Sequence, residues 1–242
     1  MNFLPKVKIF PRNIEGRDFI VGDIHGCLEL LTDKLKEVNF NKNTDRLFAV
    51  GDLIDRGPDS IGVLNLLKEK WFFSVKGNHE DMFLSAMTQQ YSVYNDFIKN
   101  GGNWIEKVKD KKIINPLIDL VYNLPHIIVV GYDDNRFNIV HAELLMYDLT
   151  LATDNDIDAW AHDVDNGRYI REVDILWGRT IFSANNLKLD STKLSKTFCG
   201  HTIGKDIRYS NGHIKIDTGA FLKYWKNNEG KLTIVQSTFN DY

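Results

Sequence analysis

The chain has 242 residues, 43% of them apolar and 26% charged, with a formal net charge of −3. That length and composition suit one large enzyme-like domain, or at most two small ones, and the lack of any basic block argues against a dedicated nucleic-acid binder. Two cysteines, Cys27 and Cys199, are too few for a disulfide scaffold, and no apolar run is long enough to span a membrane. The start, Met1-Asn-Phe-Leu-Pro-Lys, is broken by Pro5, Lys6 and Lys8 and does not read as a signal peptide, so the expected location is cytoplasmic, with both thiols reduced. Low-complexity segments and internal repeats are absent.

The first half of the chain repeats one unit. Asp18-Phe-Ile-Val21 is an apolar, β-prone run that opens into Gly22-Asp23-Ile24-His25-Gly26. An apolar-periodic stretch from Leu28 to Val38 follows and predicts a helix. Arg46-Leu-Phe-Ala-Val50 then leads into Gly51-Asp52-Leu53-Ile54-Asp55-Arg56-Gly57, with a second helical stretch from Ile61 to Lys70. Trp71-Phe-Phe-Ser-Val75 leads into Gly77-Asn78-His79-Glu80. Strand, loop, helix in alternation predicts a parallel sheet whose strand ends share one edge, where ligands bind. Asp23, His25, Asp52, Asp55, Arg56, Asn78 and His79 are therefore expected in one crevice. Carboxylates, a neutral imidazole and an amide oxygen form a donor set for divalent transition metals.

The second half supplies more strand ends. Phe137-Asn-Ile-Val140 runs into His141-Ala142-Glu143, Thr197-Phe-Cys199 into Gly200-His201-Thr202, and Ile214-Lys-Ile216 into Asp217-Thr218-Gly219-Ala220. His126–Val130 and Leu232–Gln236 read as further strands without ligands, completing a second sheet. Of seven histidines, His25, His79, His141 and His201 stand at strand ends and are assigned to the site; His126, His162 and His213 read as structural. Residues 143–174 hold nine Asp or Glu against Arg168 and Arg171. This acidic excursion reads as a solvated helical segment packed through Ile157, Trp160 and Ile170, with a lid beside the site as the sharper alternative. Leu176-Trp177-Gly178-Arg179 follows, a hydrophobic pair suited to anchoring an arginine at a rim.

These residues carry a resemblance. GDxHG, GDxxDRG, GNHE, HAE, Trp-x-Arg, GHT and DTGA all occur, and from about Ile20 to Gln236 the chain resembles the phosphoprotein phosphatase family of metallophosphoesterases, nearest its short bacterial and bacteriophage lambda-type branch. The resemblance implies a single α/β domain, a calcineurin-like metallophosphoesterase sandwich of two mixed β-sheets flanked by helices. It implies two divalent ions, with Mn²⁺ first and Fe or Zn next. Asp23 and His25 would bind the first, Asp52 would bridge, and Asn78, His141 and His201 would complete the second. It further implies His79 as the general acid, Asp55 as its partner, and Arg56 and Arg179 as the phosphate clamp. The implied activity is dephosphorylation of phosphoserine and phosphothreonine proteins by an activated hydroxide, without a phosphoenzyme; the implied partner is a phosphoprotein, not nucleic acid or membrane. Lys76 stands where many relatives have Arg before GNHE, and Ile203 breaks the GHxH of broader metallophosphoesterases, leaving the first metal a histidine short. The eukaryotic SAPNY-type signature is absent. The alternative is a symmetrical bis(5'-nucleosyl)-tetraphosphate hydrolase, but those enzymes lack the Asp55 equivalent and tend to GNHD. A non-catalytic metal-binding scaffold would tolerate losses among His79, Asp55 and the arginines, and none is lost.

Overall fold

Residues 3–88, 91–108, 110–184, 187–225 and 229–238 are described in the computed structural model. Chain order runs β1 (Val7–Phe10), β2 (Asp18–Val21), α1 (Leu28–Glu37), β3 (Arg46–Ala49), α2 (Ser60–Asn65), β4 (Phe72–Ser74), α3 (Asn78–Thr88), α4 (Tyr91–Lys99), α5 (Lys111–Tyr122) and β5 (Ile127–Val130). It continues β6 (Phe137–Val140), α6 (Asp154–Ala161), α7 (Glu172–Trp177), α8 (Thr180–Ser183), β7 (Thr197–Cys199), β8 (Arg208–Ser210), β9 (His213–Lys215) and β10 (Ile234–Gln236). No helix among the described residues is long and apolar enough to cross a membrane.

The strands form two mixed sheets, β10-β2-β3-β4 and β1-β5-β6-β7-β9-β8. Their side chains alternate between two layers, as period-two strands must. In β3 and just beyond, Leu47 and Ala49 face outward while Phe48 and Val50 face the other sheet; in β5, Ile127 and Val129 face outward while Ile128 and Val130 face in. The layer between the sheets is Ile20, Phe48, Val50, Val75, Ile128, Val130, Phe137, Ile139, Phe198, Ile214, Ile216 and Val235. Helices α1 to α5 cover the outer face of the four-stranded sheet through Leu31, Val63, Leu64, Phe83, Phe97, Leu117 and Val121. Helices α6 to α8 cover the six-stranded sheet through Ile157, Trp160, Ile175, Leu176 and Ile181. This is the expected α/β sandwich.

One strand assignment is corrected. The Leu232–Gln236 run was expected in the second sheet, but β10 pairs antiparallel with β2, Ile234 opposite Val21 and Gln236 opposite Phe19. An apolar run states that a strand has a buried face; it does not state which neighbour takes its hydrogen bonds. The expected helix over Ile61–Lys70 is shorter and tighter. Asp59 caps α2 by accepting the Gly62 N–H, and the helix gives way to a 3₁₀ turn at Leu66–Lys68. Strand β1 adds to the edge of the larger sheet, parallel to β5. The acidic excursion packs on the outer face of that sheet. Its charges are tied by Arg168 to Asp156 and by Arg136 to Asp154 and Asp158.

Candidate metal centre and cleft

Three parallel strands of the small sheet (β2, β3, β4) and three of the large sheet (β6, β7, β9) end at one edge of the sandwich. The loops there are laced by backbone bonds. The N–H groups of Ile24 and His25 both donate to the Asp52 carbonyl, and that of Gly26 to the Leu53 carbonyl. The loops are also strained. His25, Asp52, Asp55, Arg56 and His201 all have positive φ, between +46° and +71°. A non-glycine residue held there costs on the order of 1–2 kcal/mol, and such clusters mark functional sites. Close approach explains two of the glycines. A Cβ on Gly51 (φ +92°) would press on the Gly77 backbone and the His141 ring, and one on Gly200 would overlap the Asp23 carboxylate.

All ten predicted site residues converge here. Asp52 is central. Its Oδ1 lies 3.4 Å from His141 Nε2, and its Oδ2 lies 3.6 Å from His25 Nε2 and 3.9 Å from His79 Nε2. Its Oδ1 also accepts the His79 N–H at 3.0 Å, at the start of α3, where the helix dipole favours a negative charge. Two buried triads share it: His25, Asp52 and His79, and Asp52, His141 and His201. Asn78 Oδ1 is 2.8 Å from His141 Nε2 and 2.9 Å from His201 Nδ1. Asp23 lies outside both triads; its carboxylate faces the Gly200–His201 turn and accepts the His201 N–H at 3.0 Å.

Protonation follows from partners. His25 and His141 each place Nδ1 2.8 Å from a backbone carbonyl, those of Ile54 and Val50. A carbonyl only accepts, so Nδ1 carries the proton and Nε2 presents a bare lone pair toward Asp52. Burial holds both imidazoles below their ordinary range and pulls His201 down to about 3. His79 differs. Burial lowers it, but the charges of Asp52 and Asp55 and the hydrogen bond it donates to Asp55 outweigh burial and hold it above its ordinary value. Asp55 Oδ2 takes that bond from His79 Nδ1 at 2.6 Å. Burial would push Asp52 up, yet the surrounding imidazoles hold it well below the usual carboxylate range. Burial, with Asp217 and Asp52 nearby, pushes Asp23 well up.

The donor set fits cations. Bare nitrogens and carboxylate oxygens converge within bonding reach of common points, which is unfavourable among themselves and favourable around a positive charge. A guanidinium already answers one of them: Arg56 Nη1 donates to His25 Nε2 at 2.9 Å.

An open cleft of about 630 Å³ covers the centre, lined by Asp52, Arg56, Asn78, His79, Arg179 and His201 among others. Arg56 lies over the Phe221 ring at 4.7 Å, and Arg179 donates to Thr202 Oγ1 at 3.0 Å. Trp177 sets its edge against the His201 ring at 6.0 Å, so it packs on a histidine of the centre, while Arg179 is held by Thr202. No residue of 143–174 lines the cleft. Lys76 is not part of that lining either; its charge acts on Asp81 and Glu172. The three histidines read as structural stay out of both triads. His213 is one example, its Nδ1–H on the Asn211 carbonyl and its Nε2 accepting the Leu144 N–H.

Three contributors were not anticipated in role. Glu80, fully buried, accepts the N–H groups of Asp52, Leu53 and Gly77 at 2.8–2.9 Å and so shapes the loop that carries Asp52. Asp217, pushed up to about 6 by burial, adds a third buried carboxylate beside Asp23 and Asp52. Trp104 donates to Asp55 Oδ1 at 2.7 Å. The DTGA and GNHE motifs flagged the first two; a lone tryptophan 49 residues beyond its partner carries no local signal.

A family model described as calcineurin-like phosphoesterase matches residues 19–205. The chain is 35% identical over 207 residues to serine/threonine-protein phosphatase 2 of Salmonella typhimurium, covering 84% of this chain and 87% of that protein. It is 44% identical over 64 residues to the symmetrical bis(5'-nucleosyl)-tetraphosphatase of Proteus mirabilis, covering 26% of this chain and 23% of that one. Among solved structures, that of a protein assigned as a diadenosine tetraphosphatase superposes with a TM-score of 0.64 at 24% identity, covering 96% of this chain and 93% of that one, a likeness of fold.

Proposed function

The chain belongs to the calcineurin-like phosphoesterase family, and from that premise we propose that it is a serine/threonine protein phosphatase using two divalent ions, Mn²⁺ foremost. The observation that carries this is the His79–Asp55 pair at the floor of a cleft with Arg56 and Arg179 in its lining. A serine or threonine alkoxide is a poor leaving group until it is protonated, so an oriented acid is needed. A nucleotide leaving from a tetraphosphate departs as a phosphate and needs no such acid. The long alignment to a bacterial serine/threonine phosphatase supports the same reading. Two buried free thiols, Cys27 and Cys199, support a reducing, cytoplasmic setting.

In this reading Asp23 and His25 would hold one ion, Asn78, His141 and His201 the other, and Asp52 would serve both. Bound there, such a pair supplies charge neutralisation and an activated water nucleophile. The protein supplies the rest. Arg56 and Arg179 bind the non-bridging phosphate oxygens through paired N–H groups. His79 gives its Nε2 proton to the seryl oxygen as the P–O bond breaks, and Asp55 holds the ring by Nδ1. Two imidazoles and an amide favour Mn²⁺ over Mg²⁺.

The deciding panel is phosphate release from a phosphoserine peptide, para-nitrophenyl phosphate and diadenosine tetraphosphate, with Mn²⁺, Mg²⁺ and chelator. The peptide should be turned over with Mn²⁺, less well with Mg²⁺, and not in chelator. Preference for the tetraphosphate would install the rival activity. His79→Asn should keep its metal content and lose about 10²–10⁴-fold on phosphoserine, but much less on the nitrophenyl ester. Equal loss on both would remove His79 as the acid.

A further inference from the structure

We propose that Trp104 is a positioning residue for the proton donor, acting through Asp55; the inference rests on His79 being the general acid. The Asp55 carboxylate is 0% exposed and, among the described residues, has two hydrogen-bond partners. Oδ2 takes the His79 Nδ1–H at 2.6 Å, and Oδ1 takes the Trp104 Nε1–H at 2.7 Å. A carboxylate bonded on one oxygen alone is held less firmly about its broad last torsion, and it leaves a buried acceptor unmet. Bonded on both, it is locked. The choice of donor matters. An indole nitrogen only donates, so both bonds run into the carboxylate: the Trp104 N–H to Oδ1 and the His79 N–H to Oδ2. A hydroxyl or a water in that place could reverse its role and accept.

The indole is itself fixed to the helix that carries the acid. Its ring stacks on Phe83 at 5.8 Å and 27°, and Phe83 is fully buried in α3, whose first turn holds Asn78 and His79. The same segment reaches the clamp. Gly101, at φ +107°, accepts the Arg56 N–H with its carbonyl at 3.2 Å. A Cβ there would press on Arg56 itself. Residues 101–104 thus touch consecutive residues of the Asp55-Arg56 pair, one through the side chain and one through the backbone.

The test uses the metal-loaded enzyme, with Trp104→Phe, which keeps the ring and loses the N–H, and Trp104→His, which returns a ring donor. Turnover of a phosphoserine peptide is compared with that of para-nitrophenyl phosphate, alongside metal content. Trp104→Phe should lower kcat on phosphoserine about 10-fold, with little change on the nitrophenyl ester, in KM or in metal content. Trp104→His should recover part of the loss. In a His79→Asn background, Trp104→Phe should cost nothing more, because its route of action is gone. An equal loss on both substrates, or an additive loss in the double variant, makes Trp104 a packing residue and overturns the proposal. If His79→Asn shows the leaving-group bias and neither Trp104 variant does, only the Trp104 assignment falls. If His79→Asn shows none, the acid assignment falls and takes this proposal with it. Should the phenylalanine variant not fold, the histidine variant is read by the same ratio.

Discussion

Among the described residues, Asp52 alone is shared by the two histidine triads, and it also caps α3. Asp52→Asn should therefore cost more than Asp23→Asn in both turnover and metal affinity, although the two changes remove the same charge. Calorimetric titration with Mn²⁺ on both variants, beside kcat, decides this; similar mild losses would place the bridge elsewhere. The candidate ligands were legible because each follows closely on its strand, and a strand end fixes position almost by itself. Glu80 was visible as a letter of a motif but not as a task. Nothing local says that its carboxylate reaches back 28 residues to the Asp52 N–H. Asp217 was seen at a strand end as well, but it bonds the Gly219 N–H instead of joining either triad.

At the level of elements, the strands that run straight into polar loops were readable, and β10 was not, because the pairing partner of an edge strand depends on where the chain has travelled since. Strand β1 was missed for a related reason: it is a half-exposed edge whose apolar residues are interrupted by Lys8. Strand β9 carries a testable pH signature. Burial holds His213 neutral, with its pKa down at about 4 against an ordinary 6.5. The folded state thus binds its proton less readily than the unfolded chain. The stabilisation is complete above about pH 6.5 and is lost as pH falls toward 4, a change of about 3 kcal/mol. In urea unfolding of the metal-free protein, the stability gap between wild type and His213→Gln should narrow by that order between pH 7 and pH 4. A constant gap would mean that His213 titrates normally. The turn before α6 offers a change in the other direction. Leu149 is exposed and sits at φ +62°, where a side chain is strained. Leu149→Gly should raise the unfolding free energy by about 0.5–1 kcal/mol, the strain relieved less the entropy added to the unfolded chain.

Across the whole molecule, the donors are divided between the sheets. Asp23, His25, Asp52 and Asn78 come from the four-stranded sheet, and His141 and His201 from the six-stranded one. The apolar layer between them sets the spacing of the site. Phe48 lies in its middle, fully buried and stacked on Phe73 at 5.3 Å. Phe48→Ala should destabilise the protein by about 3–5 kcal/mol and weaken Mn²⁺ binding as well, with no ligand touched. Conversely, Mn²⁺ at 100 times its dissociation constant should add about 2.7 kcal/mol to wild-type stability for each ion bound, read as a rise in Tm that chelator abolishes.

This division also orders events in time. Asp23 and His201 are 178 residues apart, and their loops meet only when both sheets are built and docked. A helix or a hairpin can form while the remainder of the chain is still unfolded; this centre cannot. In a refolding experiment, tight Mn²⁺ capture should be the last signal to appear, after helical circular dichroism has recovered, and its rate should track the slow non-local step. The ion would then serve as a timer for sheet docking, with two half-sites that are each too poor to hold it.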